Sequence, residues 1–149
     1  MQKVLILNGK FKEKIWGGDR LKKEFNYDIN SNSIGEYWAI SAMKDAPSTI
    51  INGDLTGKTL DEVYKDYKGL FANPTEETFP LLVKIIDAKK DLSIQVHPDD
   101  DMAEKLENSR GKTECWYILN DDQSSIIYGL NVDNKNQAID FINNKKRDE

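Results

Sequence analysis

Short apolar runs rich in β-branched and aromatic residues, each bounded by Gly, Asn, Asp or Pro, recur along the chain and predict strands at residues 3–7, 34–41, 48–51, 81–87, 92–97, 114–119 and 124–130. Several short strands at close spacing predict a mainly β fold, a sandwich or a barrel. Three segments follow a helical period instead. Thr59 and Glu62 have capping-box spacing, and Leu60, Val63, Tyr64 and Tyr67 then keep the i, i+3, i+4, i+7 rhythm of one buried face. A second helix is predicted over residues 99–108, where Pro98 and three consecutive aspartates suit the positive end of a helix dipole, with Met102, Ala103 and Leu106 as its apolar side. The third spans residues 134–146, with Asn134 as cap and basic residues at its C-terminal end. No strand is predicted after it, so open sheet edges are expected.

The strand pattern also sorts polar residues by face. Alternation sets Ser93, Gln95 and His97 on one side of their segment and Leu92, Ile94 and Val96 on the other. That polar row carries no charged member, in a sequence in which 32% of residues are charged. Lys84 lies between Leu82 and Ile86, where a lysine either snorkels to water or reaches an anion. In the next block Lys112, Glu114 and Trp116 share a face. A carboxylate among bulky apolar groups is costly unless it is paired or bound to a cation, so Glu114 is either an ordinary partner of Lys112 or a metal ligand.

Gln95, His97 and Glu114 together offer an amide oxygen, an imidazole and a carboxylate. Three ligands with an open position describe a catalytic metal site, and this oxygen-leaning set suits zinc, manganese or iron; the alternative is a satisfied polar patch. Trp16-Gly17-Gly18 reads as a sugar-stacking loop or as a core Trp at a tight turn. Glu36, beside Tyr37 and Trp38, reads as a buried, paired carboxylate or as a surface charge. Cys115 is expected in the core as a small apolar residue. No glycine pattern fits a P-loop or a dinucleotide fingerprint.

Composition narrows the classes. A length of 149 residues suits a single domain, 1–149. The net charge of −5 argues against nucleic-acid binding, and the apolar runs are too short for a membrane partner. One cysteine points to a reducing, cytoplasmic setting. With one His and one Cys, the chain alone cannot build a Cys/His zinc finger or a two-His metal site.

The block Pro80-Leu-Leu-Val-Lys84 … Leu92-Ser-Ile-Gln95-Val-His97-Pro-Asp99, followed by Gly111-Lys-Thr-Glu114, resembles type I mannose-6-phosphate isomerase, and Trp16-Gly17-Gly18 and Gly35-Glu36-x-Trp38 look like that family's early motifs. The resemblance implies a cupin-type jelly roll, incomplete in this chain and carrying about three short helices. It implies a metal-dependent aldose–ketose isomerase that interconverts mannose 6-phosphate and fructose 6-phosphate, with zinc as cofactor and a small sugar phosphate as partner. Gln95, His97 and Glu114 would be the metal ligands, Lys112 a catalytic group beside them, and Lys84, Ser93, Trp16 and Glu36 would line the substrate pocket. The family's second cupin motif, with a further metal-binding His and an Arg, has no counterpart here. The expectation is therefore an N-terminal half with reduced or no activity of its own. The alternatives are a non-catalytic cupin-like module that binds a sugar phosphate or a partner, and a homodimer joined through open sheet edges.

Overall fold

The structure is a computed structural model that describes residues 4–119, 124–127, 129 and 131–144. The chain divides into two compact units, Met1–Leu92 and Ser93–Glu149.

The first unit is built on β-strands. Strands β1 (Leu7–Asn8), β2 (Lys10–Gly18), β3 (Ile34–Ile40), β4 (Thr49–Ile50) and β5 (Val83–Ile86) form two small antiparallel sheets. One pairs β1 with β4; the other has the order β2-β3-β5. Helix α1 (Arg20–Lys23) follows β2, and α2 (Leu60–Asp66) follows β4. Short 3-10 turns at Gly53–Leu55 and Lys68–Phe71 flank α2. The sequence reading of a mainly β chain with short helices and open sheet edges holds.

Register explains the two faces of the larger sheet. Phe11 lies opposite Tyr37, and Tyr37 opposite Ile85. With Leu21, Ile29, Ile34 and Tyr27 they make the apolar core on that side. The rings of Phe11 and Tyr37 stack at 4.6 Å. On the other side Lys12 lies opposite Glu36, and Trp38 opposite Lys84, so the polar residues share the second face. At the bulged end of β2 a side chain on Gly35 has no room: its Cβ would meet Trp16 Cζ3 and Lys14 Cβ at 2.6 Å.

A second core gathers Ile50, Leu55 and Val63 under Leu5, Leu7 and Leu70. Helix α2 begins as its sequence predicts: the Thr59 N–H donates to the Glu62 carboxylate at 2.8 Å, and Leu60, Val63 and Tyr64 are buried.

The second unit contains helices α3 (Asp100–Glu107) and α4 (Lys135–Asn143). Both carry the expected caps: Asp99 accepts from the Met102 N–H at 2.9 Å, and Asn134 from the Gln137 N–H at 3.0 Å. Lys145, Lys146 and Arg147, expected at the end of the third helix, lie outside the described residues.

Several expectations need correction. The strand at residues 92–97 and the strand at 114–119 do not form: neither segment enters a ladder among the described residues, and a strand exists only with a partner. The described residues of 124–130 are likewise outside any strand, with residues 128 and 130 outside the description. The first strand sits at Leu7–Asn8 rather than residues 3–7, because its β4 partner is only two residues long; Lys3 is not described. The longest strand, β2, is not among the strands the sequence predicts, and Trp16-Gly17-Gly18 forms its end rather than a loop. Cys115 is exposed rather than in the core.

Candidate active site

The polar face of the first unit centres on Glu36. Its carboxylate is almost fully buried, yet three donors reach it. The Trp38 indole N–H donates to Oε2 at 2.9 Å, the Lys84 ammonium to Oε1 at 3.2 Å, and Lys14 Nζ stands 3.5 Å from Oε2. Burial pushes the Glu36 pKa up, but the hydrogen bonds from Trp38 and Lys84 and the charges of Lys84 and Lys14 outweigh it and hold the carboxyl below its usual range. Lys84 also lies over the Trp38 ring at 5.0 Å, and Lys12 over the same ring at 4.6 Å. Of the two readings open from sequence, Lys84 reaches an anion and Glu36 is the buried, paired carboxylate. Trp16 is buried within β2, the core Trp of the two readings open from sequence.

In the second unit the turn before α3 and the segment after it meet. Lys112 N–H donates to the Pro98 carbonyl at 3.2 Å, and Gly111 N–H to Asp100 Oδ1 at 2.9 Å. Gly111 allows this approach because a Cβ there would lie 2.6 Å from Asp100 N and from Asp99 C. The side chains of His97, Lys112 and Glu114 are thereby collected. Lys112 Nζ is 3.0 Å from His97 Nε2 and 3.1 Å from Glu114 Oε2, and Nε2 is 3.6 Å from Glu114 Oε1.

An ammonium has donors only, so His97 Nε2 is the acceptor and the ring proton is assigned to Nδ1. The imidazole is then neutral, and its approach to Glu114 is not an ion pair. Trp116 Nε1 adds a long hydrogen bond to Glu114 Oε1 at 3.4 Å. Burial raises the Glu114 pKa, but the hydrogen bonds from Lys112 and Trp116 and the charge of Lys112 outweigh it, so the net direction is down.

The donor set suits a divalent cation. Two neighbouring ligands at about 2.0–2.2 Å from an ion stand roughly 3.0–3.5 Å apart, close to the 3.6 Å between Nε2 and Oε1. The Lys112 ammonium already stands in for a cation against both groups. Gln95 and Ser93 are exposed and make no side-chain hydrogen bond among the described residues, so neither is drawn into this cluster. No group of three or more His, Cys, Asp and Glu side chains suited to a metal occurs among the described residues.

Sequence reasoning missed Lys12 and Lys14. Their signal is present: Lys10, Lys12 and Lys14 alternate along β2 and so share one face.

These features define a β-sheet protein whose first unit has a lysine-rich polar face organised by one buried carboxylate and whose second unit has an imidazole–ammonium–carboxylate cluster suited to a cation. The chain belongs to the phosphomannose isomerase type I family, whose catalytic-domain model matches residues 4–131. It is 48% identical over 143 residues to mannose-6-phosphate isomerase of Streptococcus mutans, covering 95% of this chain and 45% of that protein. Mannose-6-phosphate isomerase ManA of Bacillus subtilis is 44% identical over 141 residues, with 93% and 44% covered. The crystal structure of the mannose 6-phosphate isomerase from Bacillus subtilis superposes with a TM-score of 0.90 at 45% identity, over 97% of this chain and 46% of that one. The chain thus spans about half the length of the curated relatives it matches.

Proposed function

We propose that this chain is the metal-binding N-terminal part of a cupin-type aldose–ketose isomerase that interconverts mannose 6-phosphate and fructose 6-phosphate. The observation that carries the reading is the convergence of His97 Nε2 and Glu114 Oε2 on one cation, the Lys112 ammonium, at 3.0 and 3.1 Å. In this reading His97, Glu114 and Gln95 hold a divalent ion, zinc by the family resemblance among the zinc, manganese and iron that the donor set suits, with Gln95 joining when the ion is bound. An ion held by these residues would supply Lewis-acid polarisation of the sugar's oxygens.

The remaining roles belong to side chains. Isomerisation moves a proton between C2 and C1 through an enediolate, and negative charge develops on the oxygens in between. Lys112 places a positive charge beside that position and acts as the catalytic cation. By the family resemblance Lys84 in the first unit and Ser93 in the second are substrate-binding residues. Within the first unit Glu36 holds Lys84 in place, and the same resemblance makes Glu36 and Trp16 substrate-binding residues. The single cysteine supports a reducing cytoplasmic setting, and no described helix is long and apolar enough to cross a membrane.

A chimera in which this chain replaces the corresponding part of the Streptococcus mutans relative tests the reading in a coupled isomerase assay. The chimera is expected to turn over mannose 6-phosphate, and its His97→Ala form to lose both metal and turnover. Turnover that survives in a metal-free His97→Ala chimera overturns it. The exposed, uncommitted Gln95 favours a second reading, a binding module without catalysis. Calorimetric binding of mannose 6-phosphate by a chimera with no turnover would select that one.

A further inference from the structure

Glu36 and Asp87 are the two buried carboxylates among the described residues, and Asp87 is only 6% exposed. Their surroundings differ. Glu36 has lysines around it, whereas Asp87 follows β5 on the side of Ile85, the apolar side, by the alternation of the strand. A carboxylate there is costly unless it is hydrogen-bonded. Its Oδ2 accepts from the Arg20 N–H at 2.6 Å, across 67 positions of sequence. Arg20 opens α1, and Asp19 in the cap position makes no side-chain cap bond, so this donor of the first turn is met from the end of β5 instead.

The backbone of Asp87 reaches the other two strands of the sheet. Its N–H donates to the Gly35 carbonyl at 2.9 Å, and its carbonyl accepts from the Gly18 N–H at 3.0 Å. Just beyond, Ala88 bridges Gly17, and the Lys89 N–H donates to the Trp16 carbonyl at 2.8 Å. The carboxylate also fills the space beside Gly18, where a Cβ would lie 2.5 Å from Oδ1 and 2.6 Å from Oδ2. The end of β5 thus ties together the strands that carry Trp16, Glu36 and Lys84. Strand β5 needs such a tie: it is four residues long, lies at the edge of its sheet and pairs with β3 in an irregular register. A slip of one residue would turn Lys84 to the apolar face and away from Glu36.

We propose that Asp87 is a positioning residue: its carboxylate locks β5 in the register that sets Lys84 against Glu36, and so maintains the substrate-binding face of the first unit. The lock stands on the hydrogen bonds and close approaches around Asp87. Its bearing on substrate rests on the isomerase reading, and the two are measured apart.

Asp87→Ala and Asp87→Asn in the 149-residue chain test the lock by carbon-detected NMR titration of the Glu36 carboxyl. Asp87→Ala removes the acceptor and releases Lys84, so Glu36 should titrate at a higher pH than in the parent, having lost a hydrogen bond and a charge that hold it down. Asp87→Asn keeps an acceptor oxygen of the same reach and should return the titration to the parent's. A role confined to stability would lower the melting temperature of Asp87→Ala and leave Glu36 of its folded form titrating as before; that result overturns the inference. Should Asp87→Ala not fold, hydrogen exchange on the parent decides. The Arg20 amide is expected to share the protection of the Asp87 amide, because the two open together, and an Arg20 amide that exchanges freely beside a protected Asp87 amide overturns the inference. In the chimera with the Streptococcus mutans relative, Asp87→Ala should raise KM for mannose 6-phosphate about tenfold with kcat near the parent's, the mark of lost substrate binding, and Asp87→Asn should restore KM. A fall in kcat at unchanged KM, as misfolding gives, counts against the inference. A chimera inactive in every form defeats the isomerase reading, and the Glu36 titration then decides the lock on its own.

Discussion

Lys84 on β5 reaches diagonally across to Glu36 on the neighbouring strand β3, with Nζ 3.2 Å from Oε1. They are 48 positions apart in the sequence, so only the β3–β5 register brings them together. Glu36 is nearly dry and Lys84 half-buried, so the pair is screened less than a surface pair. The carboxylate is what makes a lysine-rich sheet face tolerable.

Glu36→Gln should therefore destabilise the chain at neutral pH by about 1–2 kcal/mol, because Lys84 and Lys14 lose their shared counter-ion. The sign of the pH dependence follows from a folded-state pKa below the ordinary carboxylate value. That contribution is complete above the unfolded pKa and is lost as pH falls through the lower folded one. Urea unfolding of the two proteins should show a constant gap from neutral pH down to the ordinary carboxylate range and a closing gap in stronger acid. A gap that widens in acid would contradict this account of Glu36.

Trp38→Phe keeps an aromatic ring on β3 but removes the indole N–H that reaches Glu36 at 2.9 Å. The expected loss is about 1 kcal/mol. The Glu36 carboxyl resonance should also titrate at a higher pH than in the parent. An unchanged titration would mean that the lysines alone set the charge state.

Gly111→Ala should dislodge Lys112 without touching its side chain. The added Cβ would meet the first turn of α3 at 2.6 Å, which separates Lys112 N from the Pro98 carbonyl. The Glu114 pKa should rise towards its ordinary value, read by carbon-detected NMR titration, as the hydrogen bond from Lys112 is lost. A Glu114 titration identical to the parent's would show that the segment tolerates the methyl group.

Lys112→Met separates ligation from catalysis. The ammonium occupies the place against His97 and Glu114 that a divalent ion would take. Its removal should tighten zinc binding by roughly 2–5-fold, the worth of an exposed ion pair, while turnover of the chimera falls by about 10²–10³. Weaker zinc binding would make Lys112 a support for the site rather than a competitor within it.

What the sequence disclosed depended on how local the cause was. The Thr59–Glu62 capping box and the Asp99 and Asn134 caps were legible because each is settled within one turn. Strand β3 and the core of β5 were legible from their β-branched and aromatic content. Strand β2 was not: lysines at alternate positions lower its strand character, and only pairing with β3 fixes it. The sequence groups Gln95, His97 and Glu114 with Lys112 beside them, whereas the structure brings together the side chains of His97, Lys112 and Glu114 and leaves Gln95 exposed, by a different route. Two facing strands were expected to bring them together, whereas the Gly111–Asp100 and Lys112–Pro98 hydrogen bonds around the start of α3 do so. The contacts of Glu36 with Lys84 and Lys14 lay beyond sequence reading because they arise from register between distant strands.

Zinc titration of the chain by calorimetry, run beside His97→Ala and Glu114→Gln, tests the cation site most directly. One equivalent of zinc bound by the parent, with affinity lost in both variants, is the predicted result. A full equivalent bound by either variant with unchanged affinity would contradict it.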